Sequence, residues 1–289
     1  MHAVVPPRAS VNSAAAKALE ENLQALEAKL SADCLALIGP IQVGAENKVR
    51  NALEAIDNRR KRLAIILHTG GGLVEITERM VYIVRHHYQE VVFIIPNVAM
   101  SAGTIFVMSG DEIMMDYSSC LGPIDPQVER EGKLVPALSY LIQHERLIKK
   151  SADGTLTSAE FAILAKQDLA ELHQFEMAKD LSISLLKSWL ATYKFKDWAW
   201  SKTRNRAITQ ADREERAESI ANKLMDNQLW GSHGRGIPMK VLREEMKLRI
   251  DDFGADPELS RLVRSYFDLL VDYVVKNEIP HLAHTRGFL

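Results

Sequence analysis

Leu63-Ala64-Ile65-Ile66-Leu67-His68-Thr69-Gly70-Gly71-Gly72 opens the stretch that decides the fold, and Ala99-Met100-Ser101-Ala102-Gly103-Thr104 follows it. Five apolar residues in an unbroken run predict a strand over Leu63–His68, covered on both faces. The three glycines then supply a turn. From Leu73 to Tyr88 the apolar residues at 73, 76, 80, 83 and 84 have helical spacing, and Val91–Asn97 reads as a second buried strand. Strand, helix, strand of these lengths is a crossover unit, so the sheet is expected to be parallel. A second, small-residue helix is expected from Ser101 to Ser109, then a strand over Glu112–Asp116 and a turn at Gly122-Pro123-Ile124-Asp125-Pro126.

Outward from this stretch, Leu19, Leu23, Leu26 and Leu30 give an amphipathic helix over Asn12–Leu30, whose apolar stripe could face its own domain or a partner. A first strand is expected at Cys34–Ile38 and a helix at Ala45–Arg60. Beyond Pro126 the chain turns helical: Ala137–Ile148, a long helix opening on the Thr157/Glu160 capping box and running towards Tyr193, then Gln210–Asn227, Pro238–Leu248 and Pro257–Val275. Residues Met1 to Ser10 and the tail after Pro280 read as loose. These elements suggest a helical arm (1–33), a core (34–193) and a helical C-terminal extension (194–289).

The bulk composition narrows the class. With 47% hydrophobic and 26% charged residues in 289, the chain can bury a substantial core. A formal charge of −2 argues against a general nucleic-acid binder. No run reaches the ~18 apolar residues of a membrane span. The first ten residues lack the apolar core of a secretory signal, so the expected compartment is the cytoplasm. The two cysteines, Cys34 and Cys120, are expected to be buried thiols. Trp198 and Trp200, interleaved with lysines between Lys194 and Lys202, read as a helix edge or subunit contact in preference to a nucleic-acid patch.

Ser101 is the candidate nucleophile. Ala-x-Ser-x-Gly differs by one residue from the Gly-x-Ser-x-Gly elbow, and a serine at a helix start has the amides of Ala102 and Gly103 beside it. The alternative is that its hydroxyl only caps that helix. The glycine turn has two readings as well. A dinucleotide fingerprint fails, because Gly70 and Gly72 as its first two glycines put Glu75 at the last position. An oxyanion hole, pairing the amide of Gly71 or Gly72 with that of Ala102, fits two turns brought to one edge of a parallel sheet.

These segments, with Asp111-Glu112-Ile113 and Leu121-Gly122-Pro123-Ile124-Asp125-Pro126-Gln127, resemble the serine dehydrogenase proteinase family over about residues 60–130. That family is related to the Clp protease proteolytic subunit and signal peptide peptidase A. The resemblance implies an α/β fold of the Clp/crotonase type: a spiral of ββα units with a mainly parallel sheet and a helical C-terminal region. It also implies a serine peptidase with its nucleophile at Ser101, a peptide or protein substrate, and assembly into a homo-oligomeric ring. Oxyanion donors would stand at Gly71 or Gly72 and Ala102. No cofactor and no metal are expected.

The general base is less determined. Clp-type enzymes carry a histidine about 25 positions after the serine, where this chain has Asp125-Pro126. Signal peptide peptidase A uses a lysine, for which Lys133, Lys149, Lys150, Lys166 and Lys179 are candidates. The stretch Trp230-Gly231-Ser232-His233-Gly234-Arg235-Gly236-Ile237 resembles one near the end of family members, which makes His233 a candidate base, oriented by Asp125. His233 could equally be a loop histidine bonded to backbone. His86, His87, His144 and His173 read as structural, with no metal-ligand spacing among them. Two other readings stay open: a peptide-binding scaffold of the same fold without catalysis, and a crotonase-type enzyme acting on acyl-CoA.

Overall fold

The computed structural model describes residues 11–130, 133–201 and 205–289; the expectation for Met1 to Ser10 and residue Lys202 lie outside them. The elements, in order, are α1 (Val11–Leu30), β1 (Asp33–Ile38), α2 (Ala45–Glu54), β2 (Arg62–His68), α3 (Val74–His87), β3 (Glu90–Ile94), β4 (Val98–Ala99) and α4 (Ala102–Val107). Next come β5 (Glu112–Met115), β6 (Cys120–Leu121), β7 (Gln127–Arg130), β8 (Lys133–Pro136), α5 (Ala137–Ala152), α6 (Ser158–Leu164) and α7 (Leu169–Trp189). The chain continues with β9 (Trp200–Ser201), β10 (Arg206–Ala207), α8 (Gln210–Met225), α9 (Asn227–Trp230), β11 (Ile237–Pro238) and α10 (Met239–Glu244). It ends with β12 (Asp251–Asp252), α11 (Pro257–Lys276) and β13 (Leu282–His284).

A six-stranded sheet in the order β12-β5-β3-β2-β1-β13 forms the centre, parallel throughout except where β13 runs against β1. Alternation along the strands divides the interior into two cores. Leu63, Ile65 and Leu67 of β2, with Phe93 of β3, face α2 and α3. Ala64 and Ile66, with Val92 and Ile94, face α1 and α11. Both faces of β2 are therefore dry, which is why its sequence is apolar without alternation. Leu19, Leu23 and Leu26 are fully buried in the second core beside Val263, Tyr266 and Leu270. The stripe of α1 is thus spent on its own sheet and is not left for a partner.

A three-stranded sheet, β11-β6-β4, stands beside the first. The chain changes sheet at Ile95-Pro96-Asn97, so the strand expected over Val91–Asn97 is interrupted. Pro96 has no amide to donate to a ladder, while Asn97 C=O accepts from Cys120 N–H (2.8 Å) to start the new pairing.

Three other expectations are corrected. The helix from Ala45 ends at Glu54, not Arg60; the Arg59 guanidinium donates to the Leu53 carbonyl there. The helix from Thr157 is interrupted after Leu164 and restarts at Leu169, capped by the Asp168 carboxylate, before ending in a π-turn at Leu190–Lys194. Ahead of the helix expected from Ala137, which forms, stands the β7–β8 hairpin, where no element was expected. The tail after Pro280 is an edge strand, with Leu37 opposite Ala283. Arg286 follows it and donates to the buried carboxylates of Asp33 (2.7 Å) and Glu27 (2.8 Å). The C-terminal residues therefore add strands to both edges of the central sheet as well as helices.

Candidate active site

The glycine turn follows the C-terminal end of β2, and Ser101 follows β4. A short ladder locks the two together: Thr69 N–H donates to Val98 C=O and Met100 N–H donates to Thr69 C=O, both at 3.0 Å. The fit is close. A Cβ on Gly71 would lie 2.7 Å from both the Ser101 Cβ and the Met100 carbonyl oxygen. Gly71 has φ +101° and Gly72 φ +150°, values that glycine adopts readily and other residues rarely do. A Cβ on Gly72 would strike the Ile41 carbonyl at 1.9 Å. At this bridge Gly71 C=O accepts from Ile41 N–H and Leu73 N–H donates to Ile41 C=O. The Gly72 amide is left out of the ladder. The Gly71 amide, by contrast, is engaged by Thr69 Oγ1 at 3.0 Å, which separates two glycines the sequence left equivalent.

Ser101 has φ +52° and ψ −121°, a conformation unfavourable for any residue with a side chain. Its hydroxyl makes no capping bond to α4. The capping alternative is therefore corrected: the Ser101 carbonyl accepts from Ile105 N–H (3.2 Å), but its hydroxyl does not cap the helix. Ala102, the first helical residue, has an amide beyond the reach of intrahelical bonding. Thr104 Oγ1 ties the segment to the next turn, donating to Ala99 C=O (2.8 Å) and accepting from Gly122 N–H (2.9 Å). Met100 packs where a Gly122 side chain would stand.

That turn carries Asp125, which is 1% exposed, and Leu138 N–H reaches its Oδ1 at 3.4 Å. His233 comes from the other side of the small sheet. β11 pairs with β6, Ile237 opposite Leu121, and β6 pairs with β4, Leu121 opposite Ala99. Gly236 allows the His233 loop to pack on Cys120, since a Cβ there would lie 2.9 Å from the sulfur. His233 Nδ1 then stands 3.9 Å from Asp125 Oδ2. This nitrogen is buried and has no hydrogen-bond partner, so the loop-histidine alternative, a ring tied to backbone through it, is not what forms. Burial lowers the imidazole pKa below its ordinary value, and the Asp125 charge opposes that shift in part.

The lysine candidates are placed differently. Lys150 pairs with Glu160 and Lys179 with Asp180; Lys149 and Lys166 are exposed. Lys133 begins β8, its side chain outside the described residues. Among the described lysines, burial depresses Lys194, to about 8, and it lies at the opposite end of the strands. Among the described residues no group of histidine, cysteine or acidic side chains could hold a metal ion.

The profile of the ClpP-like SDH-type serine proteinases matches residues 38–209, which take in β2, the glycine turn, Ser101 and Asp125. The chain belongs to this family. Its fold is the ClpP-like one, α/β with a mostly parallel sheet. Two uncharacterized proteins of Methanocaldococcus jannaschii are similar to it. One is 33% identical over 40% of this chain and 38% of its own length; the other is 32% identical over 42% and 44%. The chain spans about four tenths of the length of these curated relatives. Two structures of 1510-N, a membrane-bound stomatin-specific protease, resemble it at 13% and 12% identity, with TM-scores of 0.44 and 0.42. The first, a mutant in complex with a substrate peptide, is covered over 72% of its chain by 75% of this one; for the second the shares are 76% and 75%. His233 lies beyond the segment the family profile covers, so its place beside Asp125 comes from the fold alone.

Proposed function

We propose that this protein is a serine peptidase in which Ser101 attacks the carbonyl carbon of a peptide bond. The observation that carries the reading is the strained Ser101 backbone, held against Gly71 with its hydroxyl free of the helix it begins. Strain at a single non-glycine residue survives only where its surroundings enforce it, and a nucleophile elbow is such a place.

In this reading His233, neutral at pH 7 because it is buried, takes the Ser101 proton as the hydroxyl attacks and returns it to the leaving amine. Asp125 faces Nδ1 and favours the tautomer that leaves Nε2 as the base, stabilising the imidazolium as it forms. The amides of Gly72 and Ala102 receive the oxyanion, because neither is committed to a ladder or to a helix. Gly71 contributes shape, letting the two turns close. Leu73 and Val43, both exposed beside the Gly72–Ile41 bridge, offer an apolar flank to a substrate side chain.

Peptides or unfolded protein segments are the proposed substrates, a ring of identical subunits the proposed assembly, and the cytoplasm, which suits two free thiols, the proposed compartment. Among the described residues no helix is long and apolar enough to cross a membrane. Turnover of a quenched peptide library by the wild type and by Ser101→Ala tests the reading. Loss of turnover in the variant supports it; equal turnover contradicts it.

A further inference from the structure

A cleft of about 1140 Å³ opens at the edge of the central sheet opposite Ser101, where β2, β3 and β5 begin. Arg62 lies in it and His68 ends the same strand beside the glycine turn, so the two sites are separated by about 20 Å of strand. The catalytic reading makes no use of this cleft.

Its walls are charged, and the less exposed charges pair off with two exceptions. Arg62 pairs with Glu112, Asp111 with Arg85 and Lys196, and Asp212 with Arg206. Lys194 and Arg216 remain. Lys194, at the end of the π-turn, donates to the Asp111 carbonyl at 3.3 Å. Arg216, on α8, donates to the Met246 carbonyl. Both are half-buried, and among the described residues neither forms an ion pair. Burial lowers both pKa values, that of Lys194 to about 8, because each charge loses water without gaining an anion. The Asp111, Glu112 and Asp251 carboxylates that act on Lys194 from further off already have the partners Arg85, Arg62 and Arg249. Phe195 and Trp198, ring centroids 6.0 Å apart, line the same cleft.

We propose that this cleft binds a small organic dianion, a phosphate ester on a flat apolar body, for which a nucleoside monophosphate is the fitting class. A guanidinium and an ammonium with unused donors match the two charges and three oxygens of a phosphate monoester better than a single carboxylate. The aromatic wall offers a face for a flat ring. The volume is ample for such a ligand. No feature of the proposal requires Ser101 to be a nucleophile.

The test is calorimetric titration of the full chain, as Ser101→Ala to prevent self-cleavage, with AMP, ribose 5-phosphate, inorganic phosphate and succinate. AMP is expected to bind below about 0.1 mM, ribose 5-phosphate and phosphate more weakly, and succinate not at all. Lys194→Gln and Arg216→Gln should each weaken AMP at least tenfold, and Trp198→Ala should weaken AMP but not phosphate. Should a variant not fold, the AMP-dependent rise in melting temperature of the unsubstituted chain, absent with succinate, carries the same information. No heat and no thermal shift with AMP or phosphate at 5 mM overturns the proposal. So does equal affinity for succinate, or AMP binding unchanged in both charge variants.

Discussion

Gly71 and Ser101, thirty positions apart in the chain, are packed so closely that one added carbon on Gly71 would stand 2.7 Å from the Ser101 Cβ. The Thr69–Val98 and Met100–Thr69 hydrogen bonds hold them there. In the proposed mechanism this contact sets where the attacking oxygen and the Gly72 and Ala102 amides meet. Gly71→Ala would place a side chain in that contact at φ +101°. The expected loss is about 2 kcal/mol of stability from overpacking and at least a hundredfold in kcat/KM from a displaced oxyanion hole. Urea melts and peptide turnover measure the two separately; a variant as active as the wild type would contradict this role.

Ser101 stores strain, so relieving it should separate stability from activity. Ser101→Gly is expected to be more stable than the wild type by about 1 kcal/mol, since glycine accepts φ +52°, and to be inactive. Ser101→Ala keeps the strain and should be inactive without that gain. Equilibrium unfolding of the three proteins checks the order; a destabilised glycine variant would mean that the Ser101 side chain is held by packing, not strain.

The pH profile discriminates between the candidate bases. His233 must be neutral to accept a proton, and burial sets its pKa below the ordinary 6.5. Activity should therefore be full at pH 7 and fall only as the pH drops below about 6.5 and through that lowered value. The limb should vanish with activity in His233→Ala and move to still lower pH in Asp125→Asn, which removes the charge that favours the imidazolium. A lysine base would put the rising limb on the alkaline side of neutrality. A limb there, with His233→Ala active and Lys133→Ala inactive, would replace the histidine by Lys133.

Arg286 ties the C-terminal strand to the start of β1 through Asp33, which is fully buried, and Glu27. Arg286→Met is expected to cost about 2 kcal/mol, less than is usual for orphaning a buried carboxylate because Arg60 still reaches both acids. Chemical denaturation measures it, and an unchanged midpoint would mean the tail does not support the sheet.

The strands of the central sheet were legible because burial on both faces writes itself as an apolar run, as in Leu63–Leu67. The convergence of the glycine turn and Ser101 was legible too, since parallel strands bring their C-terminal turns to one edge. Features fixed by partners distant in sequence were not. β4, β6 and β11 are two residues each, too short to show a period. The tail after Pro280 is polar enough to read as loose, yet β1 offers it an edge and Asp33 an ion pair. The choice between Gly71 and Gly72 as a donor depended on a Thr69 hydroxyl, and the environment of Lys194 on segments from five parts of the chain.

The central claim is that Ser101 is a nucleophile, and covalent labelling tests it most directly. A fluorophosphonate probe added to the native protein at pH 7.5, followed by digestion and mass spectrometry, should place the adduct on Ser101. Labelling should be lost on denaturation and slowed at least a hundredfold in His233→Ala. Native protein that turns over peptide yet leaves Ser101 unmodified, or carries the adduct on another residue, would contradict the account.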